Sequence, residues 1–299
     1  MDTHLQSVRT PLLETAYLTA GPDSGFPVVL IHGWPDDART WDRVTEAMAA
    51  AGLRTIAPYL RGFGPTRFLD GGTPRSGQLS ALGQDLIDFV AALRLDRFAL
   101  VGHDWGARAA AIATTELQAG GRVTHLVMLS VGYGTNDPGQ ALPLRQIQNY
   151  WYHWYLALPR GADLVRSHRR ELTRYMWDIW GAPGWTIADD EFDLTAESFE
   201  NPDWAEIVLS SYRHRWGHAE GDPQYAPLER RLNPAPIVAV PTLVLHGEAD
   251  PCNNPITSAG KERYFSSRYA RKLLAGVGHF PQREAAEAVG HEILAWLNR

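Results

Sequence analysis

Short apolar runs recur along the chain, and most are closed by a turn residue before the hydrophobic period changes. Positions 28–31 end at His32-Gly33, 55–57 at Pro58 and 98–101 at Gly102. Runs at 126–129, 242–245 and 272–275 follow, the second of them closed by His246-Gly247. Stretches of β-branched residues and leucine at this length suit strands buried on both faces of a parallel sheet. Between them the period lengthens, predicting helices over 42–51, 79–93, 107–118 and 284–297. In the last, Ala285, Val289, Ile293 and Trp296 fall near one helical face. Strands and helices alternating in this way predict an α/β fold built on a mostly parallel, doubly wound sheet.

The alternation breaks between 132 and 237. That stretch is entered through Gly132-Tyr133-Gly134, left through Asn233-Pro234-Ala235-Pro236, and carries seven of the chain's 11 tryptophans. It reads as a helical lid inserted between core strands, which divides the chain into core 1–131, lid 132–237 and core 238–299. Most of these tryptophans fill the lid's own interior, and a few are expected to face a pocket below.

Composition narrows the function classes. The 299 residues are 44% hydrophobic and 21% charged with a net charge of -6, the profile of an ordinary globular protein. There is no basic run to track a nucleic-acid backbone, so no nucleic-acid partner is expected. No apolar run approaches the ~20 residues of a membrane span, and the start MDTHLQSVRT lacks the features of a signal peptide. Cys252 is the single cysteine, compatible with a reducing compartment. The expectation is a cytoplasmic protein without a membrane partner. No metal-ligand spacing and no phosphate-cradling loop is evident, so no metal and no cofactor is expected.

The chemistry starts at Val101-Gly102-His103-Asp104-Trp105-Gly106-Ala107. Gly-x-Asp-x-Gly between a strand and an alanine-rich helix has the form of a nucleophile elbow with aspartate at its tip. Downstream, Asp250 follows the 242–245 strand, and His279 sits in a loop after the next. The order nucleophile, acid, base, each past the end of a separate strand, makes Asp104, Asp250 and His279 a candidate triad. An aspartate, with an ordinary pKa near ~3.9, needs no base before it attacks. It can displace an oxygen or halide from saturated carbon and leave an alkyl ester, which water activated by His279 then hydrolyses.

These residues, with His32-Gly33-Trp34-Pro35 and Arg61-Gly62-Phe63-Gly64, resemble the Asp-nucleophile branch of the α/β-hydrolases. That branch holds epoxide hydrolases and the haloalkane and fluoroacetate dehalogenases, and the resemblance runs almost end to end. It implies an α/β-hydrolase fold with a cap and an oxyanion site made of the Trp34 and Trp105 backbone amides. It also implies lid tyrosines that protonate the epoxide oxygen. Tyr152, in Asn149-Tyr150-Trp151-Tyr152-His153-Trp154-Tyr155, matches the first; Tyr212 is the candidate for the second, with Tyr225 the alternative. His153 and Trp154 are expected to help line the substrate site.

The resemblance ranks the leaving groups. Tryptophan at position 34 favours epoxides, since haloalkane dehalogenases carry Asn or Glu there. Fluoroacetate dehalogenases resemble the chain at Arg108, His153-Trp154 and Tyr212, but the arginine they place after the nucleophile is Trp105 here. Their acid after the sixth strand is also missing from Met128-Leu129-Ser130-Val131. One arginine rather than two argues against a carboxylate-bearing substrate. The order is epoxide hydrolase first, haloalkane or haloacid dehalogenase second. A non-catalytic ligand-binding scaffold ranks lower still, since the candidate triad is complete. The expected partner is a small-molecule substrate, with a homodimer as the oligomer to test.

Overall fold

The computed structural model describes residues 3–134 and 141–298; residues 135–140 of the expected lid lie outside them. Nine strands form one sheet: β1 (His4–Arg9), β2 (Leu13–Ala20), β3 (Pro27–Ile31), β4 (Arg54–Pro58), β5 (Arg67–Phe68), β6 (Phe98–His103), β7 (Val123–Leu129), β8 (Thr242–Gly247) and β9 (Tyr269–Leu274). Their order is β1-β2-β4-β3-β6-β7-β8-β9, with β5 beside β2. From β4 to β9 every pairing along this path is parallel, while β2 runs antiparallel to β1, β4 and β5. The mostly parallel α/β-hydrolase sheet expected from the sequence is therefore present.

The helices of the core are α1 (Asp42–Ala50), α2 (Leu79–Ala92) and α3 (Trp105–Leu117) before the insertion. Between β7 and β8 come α4 (Leu144–Asn149), α5 (Trp151–Ala157), α6 (Pro159–Ser167), α7 (Arg169–Trp180), α8 (Asp189–Ala196), α9 (Trp204–Arg215) and α10 (Ala226–Leu232). The chain closes with α11 (Pro281–Glu284) and α12 (Ala286–Leu297).

The winding explains where a site can form. From β3 the chain steps outward to β4 through α1, then returns past β3 to β6 through α2 and continues to β7 through α3. Right-handed crossovers in opposite directions put α1 on one face and α2 and α3 on the other. A crevice opens where the direction reverses, at the carboxyl ends of β3 and β6. Val28, Val29, Leu30 and Ile31 of β3 and Phe98, Ala99, Leu100 and Val101 of β6 are fully buried, as strands covered on both faces require.

Two expectations need correction. The apolar run at 272–275 marks only the end of β9, which starts at Tyr269 and is half-buried, with Lys272 and Leu273 exposed. It is an edge strand, pairing with β8 alone, so its pattern is not that of a buried one. The helix expected over 284–297 is broken at Ala285, whose φ of -141° and ψ of 47° separate α11 from α12. The Glu284 carboxylate accepts from the amides of Gly278, Phe280 and Ala182 at 2.6, 2.9 and 3.0 Å. Those bonds hold the end of α11 against the preceding loop, and Ala285 contributes nothing to the buried face of Val289, Ile293 and Trp296.

Candidate active site

Asp104 occupies the turn between β6 and α3 with φ 49° and ψ -115°, a strained conformation that costs on the order of 1–3 kcal/mol. The neighbouring glycines make the turn possible by absence. A Cβ on Gly102 would lie 2.4 Å from the Gly106 carbonyl oxygen, and one on Gly106 would lie 2.2 Å from that of Ile31. The turn passes directly into helix, so α3 begins at Trp105, two residues before the predicted start.

The other two residues of the candidate triad come to this turn. His279 Nδ1 lies 2.9 Å from Asp250 Oδ2, and Nε2 lies 4.0 Å from Asp104 Oδ2 with no closer partner among the described residues. Asp250 Oδ1 accepts from the Cys252 and Asn253 amides at 2.8 and 2.9 Å, and His246 Nε2 stands 3.2 Å from Oδ2. Burial works to raise the Asp250 pKa, but the adjacent His279 and His246 outweigh it and hold the carboxyl ionised. Burial likewise opposes charge on His279, and the Asp250 carboxylate overrides it, raising the imidazole well above its ordinary 6.5.

Residues of the segment between β7 and β8 hold both partners. The His279 amide donates to the Trp180 carbonyl at the end of α7 (2.9 Å), while the His279 carbonyl oxygen sits 2.7 Å from His103 Nε2. Gln146 of α4 donates to the Cys252 carbonyl at 2.9 Å, and the Tyr150 hydroxyl to the Asn253 side chain at 2.7 Å. Cys252, Asp250 and His279 place potential metal-ligand atoms within 4.8 Å of one another. Asp250 and His279 are however spent on the bonds above. Sequence reasoning gave no role to His103, His246, Gln146 or Tyr150; their neighbours Asp104 and Asp250 were the signal.

The 32–36 loop lies against Asp104. A Cβ on Gly33 would reach to 2.6 Å from Asp104 Cβ and 3.0 Å from Oδ1. His32 Nε2 accepts the Leu60 amide at 3.0 Å, so its proton is on Nδ1, 3.0 Å from the Gly33 carbonyl oxygen. That oxygen also accepts from the Asp36 amide at 3.1 Å. With the Gly33 carbonyl held twice, the planar peptide points the Trp34 N–H the opposite way. Burial pushes the His32 pKa down to about 4, which keeps this tautomer neutral.

Aromatic side chains enclose the site. The Trp34 ring stacks on Tyr152 of α5 (5.7 Å between centroids) and on Trp105 (6.5 Å), and meets Tyr212 of α9 edge-on at 5.5 Å. Tyr152 and Tyr212 are buried and touch each other at 5.4 Å. The Tyr152 hydroxyl lies 3.5 Å from Cys252 Sγ. Burial raises both tyrosines well above the usual phenol pKa, with Arg215 and the Trp105 indole N–H opposing it in part at Tyr212. His153 joins the cluster, its ring 4.3 Å from Tyr152 and 4.8 Å from Tyr212. Its Nδ1 accepts the Trp216 indole N–H at 3.0 Å; a donor-only indole fixes the imidazole proton on Nε2. Burial, and then Arg215 and Arg108, keep this histidine neutral.

Two candidates lie apart. Trp154 packs its ring on Trp216 at 4.6 Å and donates to the Ile147 carbonyl, at the margin of the lid. One residue along a helix turns ~100° away, so Trp154 does not share the inward direction of His153. Tyr225 accepts from Arg61 Nη2 at 2.9 Å, in a buried cluster with Asp85; of the two candidates for the second tyrosine, only Tyr212 reaches the nucleophile's surroundings.

Known proteins fit this geometry. The alpha/beta hydrolase family pattern matches residues 28–292. Epoxide hydrolase A of Mycobacterium tuberculosis is 28% identical over 304 aligned positions, covering 92% of this chain and 91% of its own. A crystal structure from Klebsiella pneumoniae, provisionally described as an epoxide hydrolase, is 35% identical, covers 98% of this chain and 96% of its own, and superposes with a TM-score of 0.91. Potato epoxide hydrolase I (Solanum tuberosum) shares the fold at a TM-score of 0.80 and 20% identity, covering 99% of both chains. With a family pattern spanning most of its length, the chain belongs to the α/β-hydrolase family.

Proposed function

We propose that this protein is an epoxide hydrolase, with Asp104 as nucleophile, His279 and Asp250 as base and orienting acid, and Tyr152 and Tyr212 as proton donors. The observation that carries the reading is the pair of buried tyrosines from two different lid helices, packed on each other and on Trp34 beside the nucleophile. Displacing a halide needs no proton, whereas opening an epoxide leaves an alkoxide that does. The related proteins named as epoxide hydrolases support the same activity. The helices between 132 and 237 serve as the lid in this reading, and no described helix is long and apolar enough to cross a membrane. A homodimer remains a proposal, tested by solution mass.

In the first half-reaction an Asp104 oxygen attacks an epoxide carbon, the carbon–oxygen bond breaks, and a tyrosine protonates the released oxygen. In the second, water gives a proton to His279 Nε2 and attacks the ester carbonyl. The oxyanion is met by the Trp34 and Trp105 amides, donors worth about 3 kcal/mol each. Collapse expels the diol, whose oxygen takes the remaining proton of the attacking water. The proton held by His279 then makes good the one the tyrosine gave.

Heavy-oxygen water tests the nucleophile. In a single turnover with excess enzyme, the diol should be largely unlabelled and the label should appear in the peptide containing Asp104. Full labelling of the first diol would make Asp104 a base for direct water attack.

The pH profile follows from the same groups. His279 must be neutral to accept a proton, and Asp250 raises its pKa, so kcat should rise with pH through a midpoint above 6.5. The tyrosines must stay protonated, and burial raises both, so no falling limb should occur below about pH 10. A falling limb centred near pH 8 would remove them as the acids.

A further inference from the structure

A cavity of about 580 Å³ opens beside Asp104 and His279 rather than on them. Arg108, Met128, Tyr133, Arg215, Trp216 and Glu229 are among its walls. Arg108 lies one helical turn beyond Asp104 on α3, its amide donating to the Asp104 carbonyl, which sets the two residues about 6 Å apart along the axis. Arg215 arrives from the end of α9. Its guanidinium lies 5.3 Å from the Tyr212 ring centroid and 6.0 Å from that of Trp105. The sequence showed one arginine near the nucleophile; the lid supplies a second to the same cavity.

Arg215 is not neutralised by its neighbours. Among the described residues no carboxylate pairs with it, its buried Nε–H has no acceptor, and its one hydrogen bond is a 3.4 Å contact to Ser211 Oγ. The cavity's acidic group, Glu229, is already engaged by Gln78 (2.7 Å) and Ser80 (2.9 Å), with His214 at 3.6 Å. A half-buried guanidinium on the wall of a cavity, with no carboxylate beside it, is matched by a planar anion such as carboxylate, which it can hold through two parallel bonds. Closeness of the two arginines is also visible in Arg108, whose proton affinity is lowered by burial and by Arg215.

Resting on the epoxide hydrolase reading, we propose that the preferred substrates carry a carboxylate a few bonds from the epoxide, bound in this cavity by Arg215 together with Arg108. The anion would sit about a helical turn from the nucleophile, with the ring between Asp104 and the two tyrosines. Neutral epoxides would be opened by the same triad without that anchor.

The test compares 2,3-epoxybutanoate, 3,4-epoxybutanoate and 5,6-epoxyhexanoate with their primary amides, and adds calorimetric binding of butanoate and hexanoate. For at least one chain length the carboxylate should exceed its amide in kcat/KM by about tenfold or more, mainly through KM. In Arg215→Gln that ratio should fall toward one, and Arg215→Lys should recover part of it, as a point charge in place of a planar fork. A wild-type ratio at or below one at every chain length, with the amides turned over, overturns the anion site and leaves epoxide hydrolysis standing. Carboxylate binding lost in Arg215→Gln without turnover of any epoxide would support the site and overturn the reaction. If the carboxylates are preferred but Arg215→Gln keeps the full ratio, the assignment to Arg215 fails.

Discussion

Glutamine in place of His279 is expected to reduce turnover by on the order of 10⁴–10⁶-fold, the range seen when single members of a catalytic triad are removed, while leaving Asp104 alkylated. The imidazole is placed to act late. Its Nε2 is 4.0 Å from the Asp104 carboxylate and has no other hydrogen-bond partner among the described residues, and attack by a carboxylate needs no base. The first half-reaction should therefore survive the substitution and the second should stop. Mass spectrometry of His279→Gln incubated with an epoxide should show the protein heavier by one substrate, with the increment on the peptide containing Asp104. An unmodified protein under conditions where the epoxide demonstrably binds would defeat the two-step scheme.

Removing both lid hydroxyls should be the next most damaging change. General acid catalysis contributes roughly 10²–10⁴-fold, and Tyr152→Phe and Tyr212→Phe should each lose part of that, the double variant most of it. The rings pack against Trp34 from two directions, and phenylalanine keeps that packing, so the folded structure should persist. The loss should fall on epoxides and spare any bromoalkane turnover, where the leaving group departs unprotonated. Parental epoxide rates in the double variant would strike both tyrosines from the mechanism.

What the sequence made legible depended on how local each signal is. The elbow was readable because its glycines answer backbone clashes within a few residues, at Gly102 and Gly106. Strands β3, β6 and β8 were readable because burial on both faces demands an unbroken apolar run. Strands β1 and β2 went unpredicted: β1 is almost wholly exposed, and β2 reads Leu-Glu-Thr-Ala-Tyr-Leu-Thr-Ala. The break at Ala285 depends on Glu284 capping a loop six residues earlier, which no helical period announces. Arg215 belonged to a basic helix end in sequence, and only the approach of the end of α9 to Trp105, through Tyr212 and Arg215 itself, sets it there. Trp154, adjacent to His153 in the chain, reaches the cluster only through Trp216 and the edge of His153 and makes no ring contact with Tyr152 or Tyr212.

The bonds between lid and triad loops carry a consequence for protein engineering. In many α/β enzymes the insertion looks like an interchangeable module, to be swapped for a new specificity. Here α7 accepts the amide of His279, the proposed base, and α4 and the Tyr150 that follows it tether the loop of Asp250. A Cβ on Gly278, beside that base, would come within 2.3 Å of the Ala182 backbone. A chimera receiving a foreign insertion would lose the scaffolding of its own proton acceptor along with the old substrate walls. Transplants that keep 144–150, 180–182, Tyr152 and Tyr212, and exchange only the other residues of α5, α6 and α9, are the ones that should retain turnover while changing what is turned over.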